Sequence, residues 1–398
     1  MKKALGLLIL LLPLMACNSK QKVLSQVDDL LKQKKYLSAY SLLEKADPNN
    51  RDIDLVLAKV QIALDDYHTT YLLQSFTFKD ISPDQSIEDL RDQPATGSVF
   101  ALSPEVLMNA LSENHHGNSR LLEAQGDYQF LYYLNYDRLR KDKGLFRLRQ
   151  AQSFYYQALS RQAADPRIFY RMGRVLIVLE EYSEAVRNLS EAVARGMQTG
   201  DGYYYLALAQ SNSMEFSHCV ENGQKALSLY TRSEDKVSAA RLMAQAYMAM
   251  GDEKSAVKYF ELVSQLRPRN YANLKALLRL NLSHKAMDKS LALAKTMLAT
   301  QPKDRAILQD IYEAYDEYKY SKEFYGFLEK MRSLYAKQDE VMGDLYFVQA
   351  RADVNMKRTN DAVESLKKAR NYFSKALKPK DKIFKTIDDQ IKELNRRK

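Results

Sequence analysis

Small and apolar side chains recur along much of the chain at a distance of 34 residues, with three residues added between Cys219 and Ala256. Ala185 and Ala192, for example, return 34 positions later as Cys219 and Ala226. Inside each copy the apolar positions are three or four residues apart, which is the spacing of one face of an α-helix. One copy is long enough for two helices and a turn. The pattern therefore predicts pairs of antiparallel helices that stack along the chain.

The copies differ in regularity. Those from Pro166 to Pro302 are the most regular, and second helices should end before Pro268 and Pro302, because proline lacks the amide donor. Upstream, we expect a first helix over Ser119–Arg140 and a turn over Lys141–Gly144.

The clearest copy is similar, residue by residue, to the tetratricopeptide repeat. The residues that carry the similarity are Phe169, Met172, Gly173, Leu176, Tyr182, Ala185, Leu189 and Ala192. In about nine copies, including a weak one over Arg51–Thr77, the resemblance covers most of residues 23–378. It implies an all-α fold, an α-solenoid of stacked antiparallel helix pairs in a right-handed superhelix.

The resemblance also implies a function, which is to bind protein partners. Ligand peptides in this family lie along the concave groove that the first helices line. The corresponding positions of this chain are Arg167, Tyr170, Arg174, Tyr204, Asn212, Arg241, Gln245, Lys275 and Arg279. These side chains are mostly basic or aromatic, apart from Asp201 nearby, and the next copy supplies acids such as Glu313, Asp316 and Glu317. We therefore expect partners with acidic or C-terminal segments, although solvated groove walls with random charges would give the same pattern.

Two segments interrupt the repeats. Lys79–Asn118 contains several proline and glycine turns and one short helix that begins at Ser103 and Pro104, and it is either a linker or a packed loop. Lys380–Lys398 has apolar residues on one helical face and polar residues elsewhere, which is typical of a capping helix. The predicted organisation is a signal peptide at 1–16, a lipidated tether at 17–22, N-terminal repeats at 23–78, a linker at 79–118, the main array at 119–378 and a basic capping helix at 379–398.

Composition supports the helical interpretation. The chain has only 13 glycines and 9 prolines among 398 residues, whereas β-rich proteins need these residues for their many tight turns. Sandwiches, barrels and propellers are thereby excluded.

The N-terminus predicts export and lipidation. Met1–Ala16 has a basic start and an apolar stretch too short to span a membrane, as in a secretory signal peptide. Leu14-Met15-Ala16-Cys17 resembles the lipobox of bacterial lipoproteins, which implies cleavage before Cys17 and acylation of that residue. Asn18 favours the outer membrane, facing the periplasm. The alternative is an ordinary signal peptide with an incidental cysteine.

Charge is concentrated at one end. The formal net charge is +10, and residues 357–398 hold 14 Lys/Arg against 6 Asp/Glu, so the rest of the mature chain is near neutral. A basic end on an exported protein does not suggest a nucleic-acid partner. Cys219 occupies an alanine position and is expected to be a small buried side chain rather than a reactive thiol.

The sequence carries no recognisable catalytic motif, so we expect no enzyme activity, no cofactor, no metal and no small-molecule substrate. His115-His116, near Glu113, fits a polar loop better than a metal site. The leading hypothesis is a membrane-anchored scaffold lipoprotein of the bacterial cell envelope. The alternatives are a solute-binding component of an envelope transport system, or an enzyme of unrecognised type.

Overall fold

The computed structural model describes residues 19–65, 69–71, 75–85, 87, 90, 100–115, 117–137, 141–161 and 165–396. The predicted signal peptide, Cys17, His116 and the last two residues lie outside these ranges. The chain divides into two compact units, one that ends at Ser213 and one that begins at Met214. In the described part no helix is long and apolar enough to cross a membrane.

The first unit consists of helices and one small sheet. Residues 19–32 form α1, so residues 19–22 of the predicted tether are helical. The other helices are α2 (Tyr36–Ala46), α3 (Ile53–Asp65), α4 (Pro104–His115), α5 (Ser119–Tyr132), α6 (Lys141–Ser160), α7 (Pro166–Val178), α8 (Tyr182–Ala194) and α9 (Gly200–Asn212). A π-helix, Tyr133–Asp137, continues α5. The strands are β1 (Thr69–Tyr71), β2 (Ser75–Phe78) and β3 (Phe100–Leu102).

The sheet corrects the prediction for the N-terminal repeats. Its strands are antiparallel in the order β1-β2-β3, with Thr70 opposite Phe76 and Thr77 opposite Ala101. The expected repeat over Arg51–Thr77 therefore has its first helix but strands where its second helix was predicted. The turn expected over Lys141–Gly144 is also wrong, because α6 begins at Lys141.

The segment after β2 is packed into the first unit. Phe78 and Leu102 are buried in the same core as Leu43 and Val60, and the rings of Tyr40 and Phe78 lie 5.4 Å apart. Buried side chains of α4 join this core, and that helix begins at Pro104 as predicted. The described residues of 79–118 thus form a packed insertion, which answers the question the sequence left open.

The second unit continues the helix pairs without strands in its described residues. Its helices are α10 (Phe216–Leu229), α11 (Ser233–Ala249), α12 (Glu253–Leu266), α13 (Tyr271–Ser283), α14 (Met287–Thr300), α15 (Arg305–Glu317), α16 (Ser321–Leu334), α17 (Asp339–Asn355), α18 (Thr359–Ala376) and α19 (Lys382–Arg396). The second helices α12 and α14 end two residues before Pro268 and Pro302, as predicted. Cys219 is fully buried in α10. The fold is the predicted all-α arrangement of stacked helix pairs.

The turns within pairs share one geometry. A residue in the left-handed region follows the first helix, at Glu180, Gly251, Lys285, Lys319 and Lys357. Beyond it an amide bonds back to the helix, for example Tyr320 to the carbonyl of Tyr315 at 2.9 Å. This bond satisfies a carbonyl that the helix end leaves open, and it accompanies a left-handed residue at many helix ends. Only one of these five positions is glycine. The other four residues adopt the left-handed conformation in spite of the steric cost of their Cβ atoms.

The last helix packs as a cap. Ile383, Ile387 and Leu394 of α19 are buried with Leu366 and Phe373 of α18. The apolar face predicted for the C-terminal helix therefore covers the last helix pair.

Candidate protein-binding surfaces

The predicted groove residues of the first unit are largely engaged by other side chains. Arg174 on α7 lies among three rings, with its guanidinium carbon 4.6 Å from the centre of Tyr205, 5.2 Å from Phe130 and 5.4 Å from Tyr170. Ring faces attract a guanidinium group. The charge of Arg174 is therefore stabilised inside an aromatic cluster, and Tyr170 is a buried wall of that cluster.

Arg167 is held at the start of α7. Its guanidinium nitrogens lie 2.8 Å from Asp165 Oδ2 and 3.6 Å from Asp65 Oδ2. Asp165 also accepts the backbone N–H of Arg167 at 2.8 Å, so it caps the helix. Burial acts to raise the pKa of Asp165, but hydrogen bonds with Arg167 hold it below its usual range. Arg167 is thus part of a helix-capping arrangement.

The two remaining predicted residues of this unit lie on α9. Tyr204 is half-buried, with its ring 5.3 Å from the ring of Tyr205. Asn212 is exposed at the end of the helix, and its side chain donates to the carbonyl of Leu208 at 2.8 Å.

In the second unit, two predicted cations pair with acids of the next first helix. Lys275 Nζ lies 2.8 Å from Asp310 Oδ1, and Arg279 Nε lies 3.5 Å from Glu317 Oε2. Burial alone would raise the pKa of Asp310, but hydrogen bonds from Lys275 and Tyr271 hold it below its usual range. The positive charge expected at these two groove positions is therefore neutralised where α13 meets α15.

Similar polar contacts join α15 to α17. Arg305 pairs with the buried carboxylate of Asp344, and Arg351 donates to the side chain of Gln309 at 2.9 Å. The side-chain amide of Asn355 donates to the hydroxyl of Tyr312. The first helices α13, α15 and α17 are thus linked by cross-helix pairs, from Lys275–Asp310 to Asn355–Tyr312, which we call the polar ladder.

Two open clefts border the first helices of the second unit. One has a volume of about 390 Å³ and lies beside Lys275 and Arg279, with Phe260 and Tyr318 among its apolar walls. The other has a volume of about 610 Å³ and lies beside Arg241. Arg241 and Gln245 are exposed on α11. Together with Asn212, these two predicted residues are exposed and accessible to a partner.

A tetratricopeptide-repeat sequence profile matches residues 242–270. The match covers the second half of α11, the turn at Gly251, α12 and the residue that caps α13. Residues 242–270 are therefore similar to a tetratricopeptide repeat. Such a repeat is a scaffold for protein–protein contacts, and the helix pairs around it have the same architecture.

Other comparisons give distant likenesses. No curated protein matches the chain. The solved structure of YrrB, described as a TPR protein with an unusual peptide-binding site, is 20% identical over 51% of this chain and 96% of its own, with a TM-score of 0.39. PilF of Pseudomonas aeruginosa is 12% identical over 55% and 96%, also with a TM-score of 0.39. A tetratricopeptide repeat protein from Parabacteroides merdae is 13% identical over 67% and 98%, again with 0.39.

A largely buried polar cluster in the first unit was not among the features predicted from the sequence. Arg171 on α7 donates to Asp127, lies 2.7 Å from Asp65 Oδ1 and lies 3.6 Å from Glu123 Oε1. Tyr155 donates to Asp127 at 2.8 Å. Burial raises the pKa of Asp127 to about 6 and that of Glu123 to about 7, against the opposing charge of Arg171. One available signal was that Arg171 follows Arg167 by one helical turn, on a helix whose other buried residues are apolar.

Proposed function

We propose that the protein is a membrane-anchored adaptor of the bacterial cell envelope that binds protein partners on the first helices of its repeats and catalyses no reaction. The observation that supports this proposal most directly is the arrangement of helices and clefts in the second unit. There, the first helices α13, α15 and α17 stand side by side and are joined by the polar ladder, and the exposed side chain of Arg241 on α11 borders an open cleft. Clefts that are open to solvent suit extended segments of a protein partner.

The anchor is the second part of the proposal. It rests on the lipobox-like sequence that ends at Cys17, and several acyl chains on one residue would give stable attachment to a membrane. We place the protein on the outer membrane, facing the periplasm.

Cysteine substitution tests the anchor. Replacing Cys17 with alanine should abolish incorporation of radioactive palmitate and move the protein from the membrane fraction to the soluble fraction. Cys219→Ala is the matched control, because this buried cysteine occupies an alanine position of the repeat and should leave labelling unchanged. A wild-type chain that takes up no fatty acid would disprove the anchor.

Photo-crosslinking tests the binding surface. A photoreactive residue at Gln245, exposed on first helix α11, should capture envelope proteins in intact cells. The control is the same residue at Lys330, exposed on second helix α16. Equal capture from both positions, or none from Gln245, would contradict binding on the first helices.

A further inference from the structure

The larger cleft of the second unit combines several arginines with apolar walls. It lies between α11 and the turn that joins α12 to α13. Its lining residues are Glu234, Val237, Ser238, Arg241, Arg267, Pro268, Arg269 and Asn270. Three arginines and one glutamate give this lining a formal charge of +2. The cleft therefore attracts anions.

The three arginines of the cleft differ in whether they pair with another side chain. Arg267 donates to Glu234, which neutralises one positive charge. Arg241 and Arg269 are exposed, and neither makes an ion pair or a side-chain hydrogen bond with any residue that the structure describes. Most other cations of the predicted groove are occupied, Lys275 and Arg279 by acids and Arg174 by aromatic rings. Positive charge that can bind a partner thus lies at this cleft.

The surroundings favour a carboxylate-bearing chain over a small inorganic anion. Asn270 caps α13 by accepting the N–H of Asn273 at 3.0 Å, so the positive end of that helix adjoins the cleft. A guanidinium group binds a carboxylate through two parallel hydrogen bonds. Val237 and Pro268 also line the cleft and offer apolar contact, which the stem of a glutamate can use and a free phosphate cannot.

We propose that this cleft binds an acidic segment of a protein partner, with one carboxylate at Arg241 and a second at Arg269. The proposal rests on the proposed adaptor function and names the chemistry of the partner. It also moves the anion-binding position away from Arg174, Lys275 and Arg279, because those three predicted cations already have partners. Arg267 and Arg269, which lie in a turn between repeats, were not among the residues predicted from the sequence.

A labelled peptide tests the proposal on the full-length protein. The probe is a fluorescent glutamate-rich peptide, and its counterpart has glutamine at every glutamate. Fluorescence anisotropy should show binding of the glutamate peptide that weakens as salt rises, because the contacts are exposed ion pairs. Arg241→Gln with Arg269→Gln should weaken binding about tenfold. Bound peptide should also slow amide hydrogen exchange in residues 267–270.

The matched control removes two arginines elsewhere. Arg51 and Arg187 are exposed, and Arg51→Gln with Arg187→Gln lowers the net charge by the same amount. This control should bind the peptide as the wild type does, which separates the cleft from the general charge of the chain. Because all four positions are exposed, the helical circular dichroism of both variants should be unchanged.

Three outcomes would overturn the proposal. The glutamate peptide could bind no better than its glutamine counterpart, the two double variants could bind it equally, or inorganic phosphate could displace it better than chloride at equal ionic strength. If photo-crosslinking at Gln245 captures partners while the cleft variant binds the peptide normally, the adaptor function stands and the cleft assignment is wrong. If Gln245 captures nothing and the peptide still binds through the two arginines, the cleft is correct and the adaptor surface lies elsewhere.

Discussion

Replacing Glu123 with glutamine should make the first unit more stable at neutral pH. Glu123 is 12% exposed, and its carboxylate is 3.6 Å from Arg171, whose nitrogens are closer to Asp127 and Asp65. Burial, together with repulsion from Asp127, raises the pKa of Glu123 from 4.5 to about 7, while Arg171 acts to lower it. The ionised form is therefore poorly compensated in the folded state. Glutamine keeps the shape of the protonated acid and carries no charge.

The size and sign of the effect follow from proton linkage. A difference of about 2.5 pH units between the folded and unfolded values corresponds to about 3 kcal/mol. Because the folded state binds this proton more tightly, its stabilising effect is complete below about pH 4.5 and is lost as the pH rises through about 7. Asp127, whose pKa is raised to about 6, adds a second loss in the same direction. The wild type should thus lose stability across this window, and the variant should lose less.

Urea unfolding measured across this pH window would quantify the difference. The chain has no tryptophan, so circular dichroism is the appropriate signal, and hydrogen exchange over α5 would assign the change to the first unit. We expect the variant to exceed the wild type by up to about 3 kcal/mol above pH 7 and to match it near pH 4.5. Glu113→Gln, at an exposed position of α4, is the control and should follow the wild type. Equal pH profiles for the wild type and Glu123→Gln, or wild-type stability that rises over this window, would refute the reasoning.

Two further predictions concern packing. A Cβ on Gly343 would lie 2.6 Å from the ring of the buried Phe373, so Gly343→Ala should lower the free energy of unfolding by about 1–3 kcal/mol. Gly326 in α16 has open space around it, so Gly326→Ala should raise the free energy of unfolding by up to about 1 kcal/mol. Thermal melts in which both variants shift in the same direction would contradict this prediction. Removing Lys380–Lys398 should expose the apolar face of α18 around Phe373 and promote aggregation, which light scattering would measure. A truncated chain with unchanged solubility and melting temperature would show that α19 is not a cap.

The repeated helix pairs could be predicted because their signals are local. Small residues such as Ala185 recur at the helix period, Pro268 and Pro302 mark helix ends, and Cys219 stands at a small-residue position. Each signal and the contact that it predicts lie within one helix or two neighbouring helices. The short helix at Pro104 and the capping helix were predicted for the same reason.

The sheet of the first unit could not be predicted in this way. β2 pairs with β3, which follows it by more than twenty residues, and the repeat pattern suggested helix up to Thr77. Burial of Phe76 and Phe78 against the rest of the core overrides the local pattern, because tertiary packing outweighs weak helix propensity.

The sequence by itself determined which residues lie on the first helices. The tertiary structure decided which of their charges are left to interact with a partner. Lys275 and Asp310 are 35 positions apart, yet stacking brings them within 2.8 Å. Arg241 has no such partner on the next first helix, and the turn between repeats adds Arg269 beside it. A residue list gives the sign of each charge, but ion pairing depends on distances across helices. Those distances are set by how the pairs stack, and the period of a sequence does not contain them.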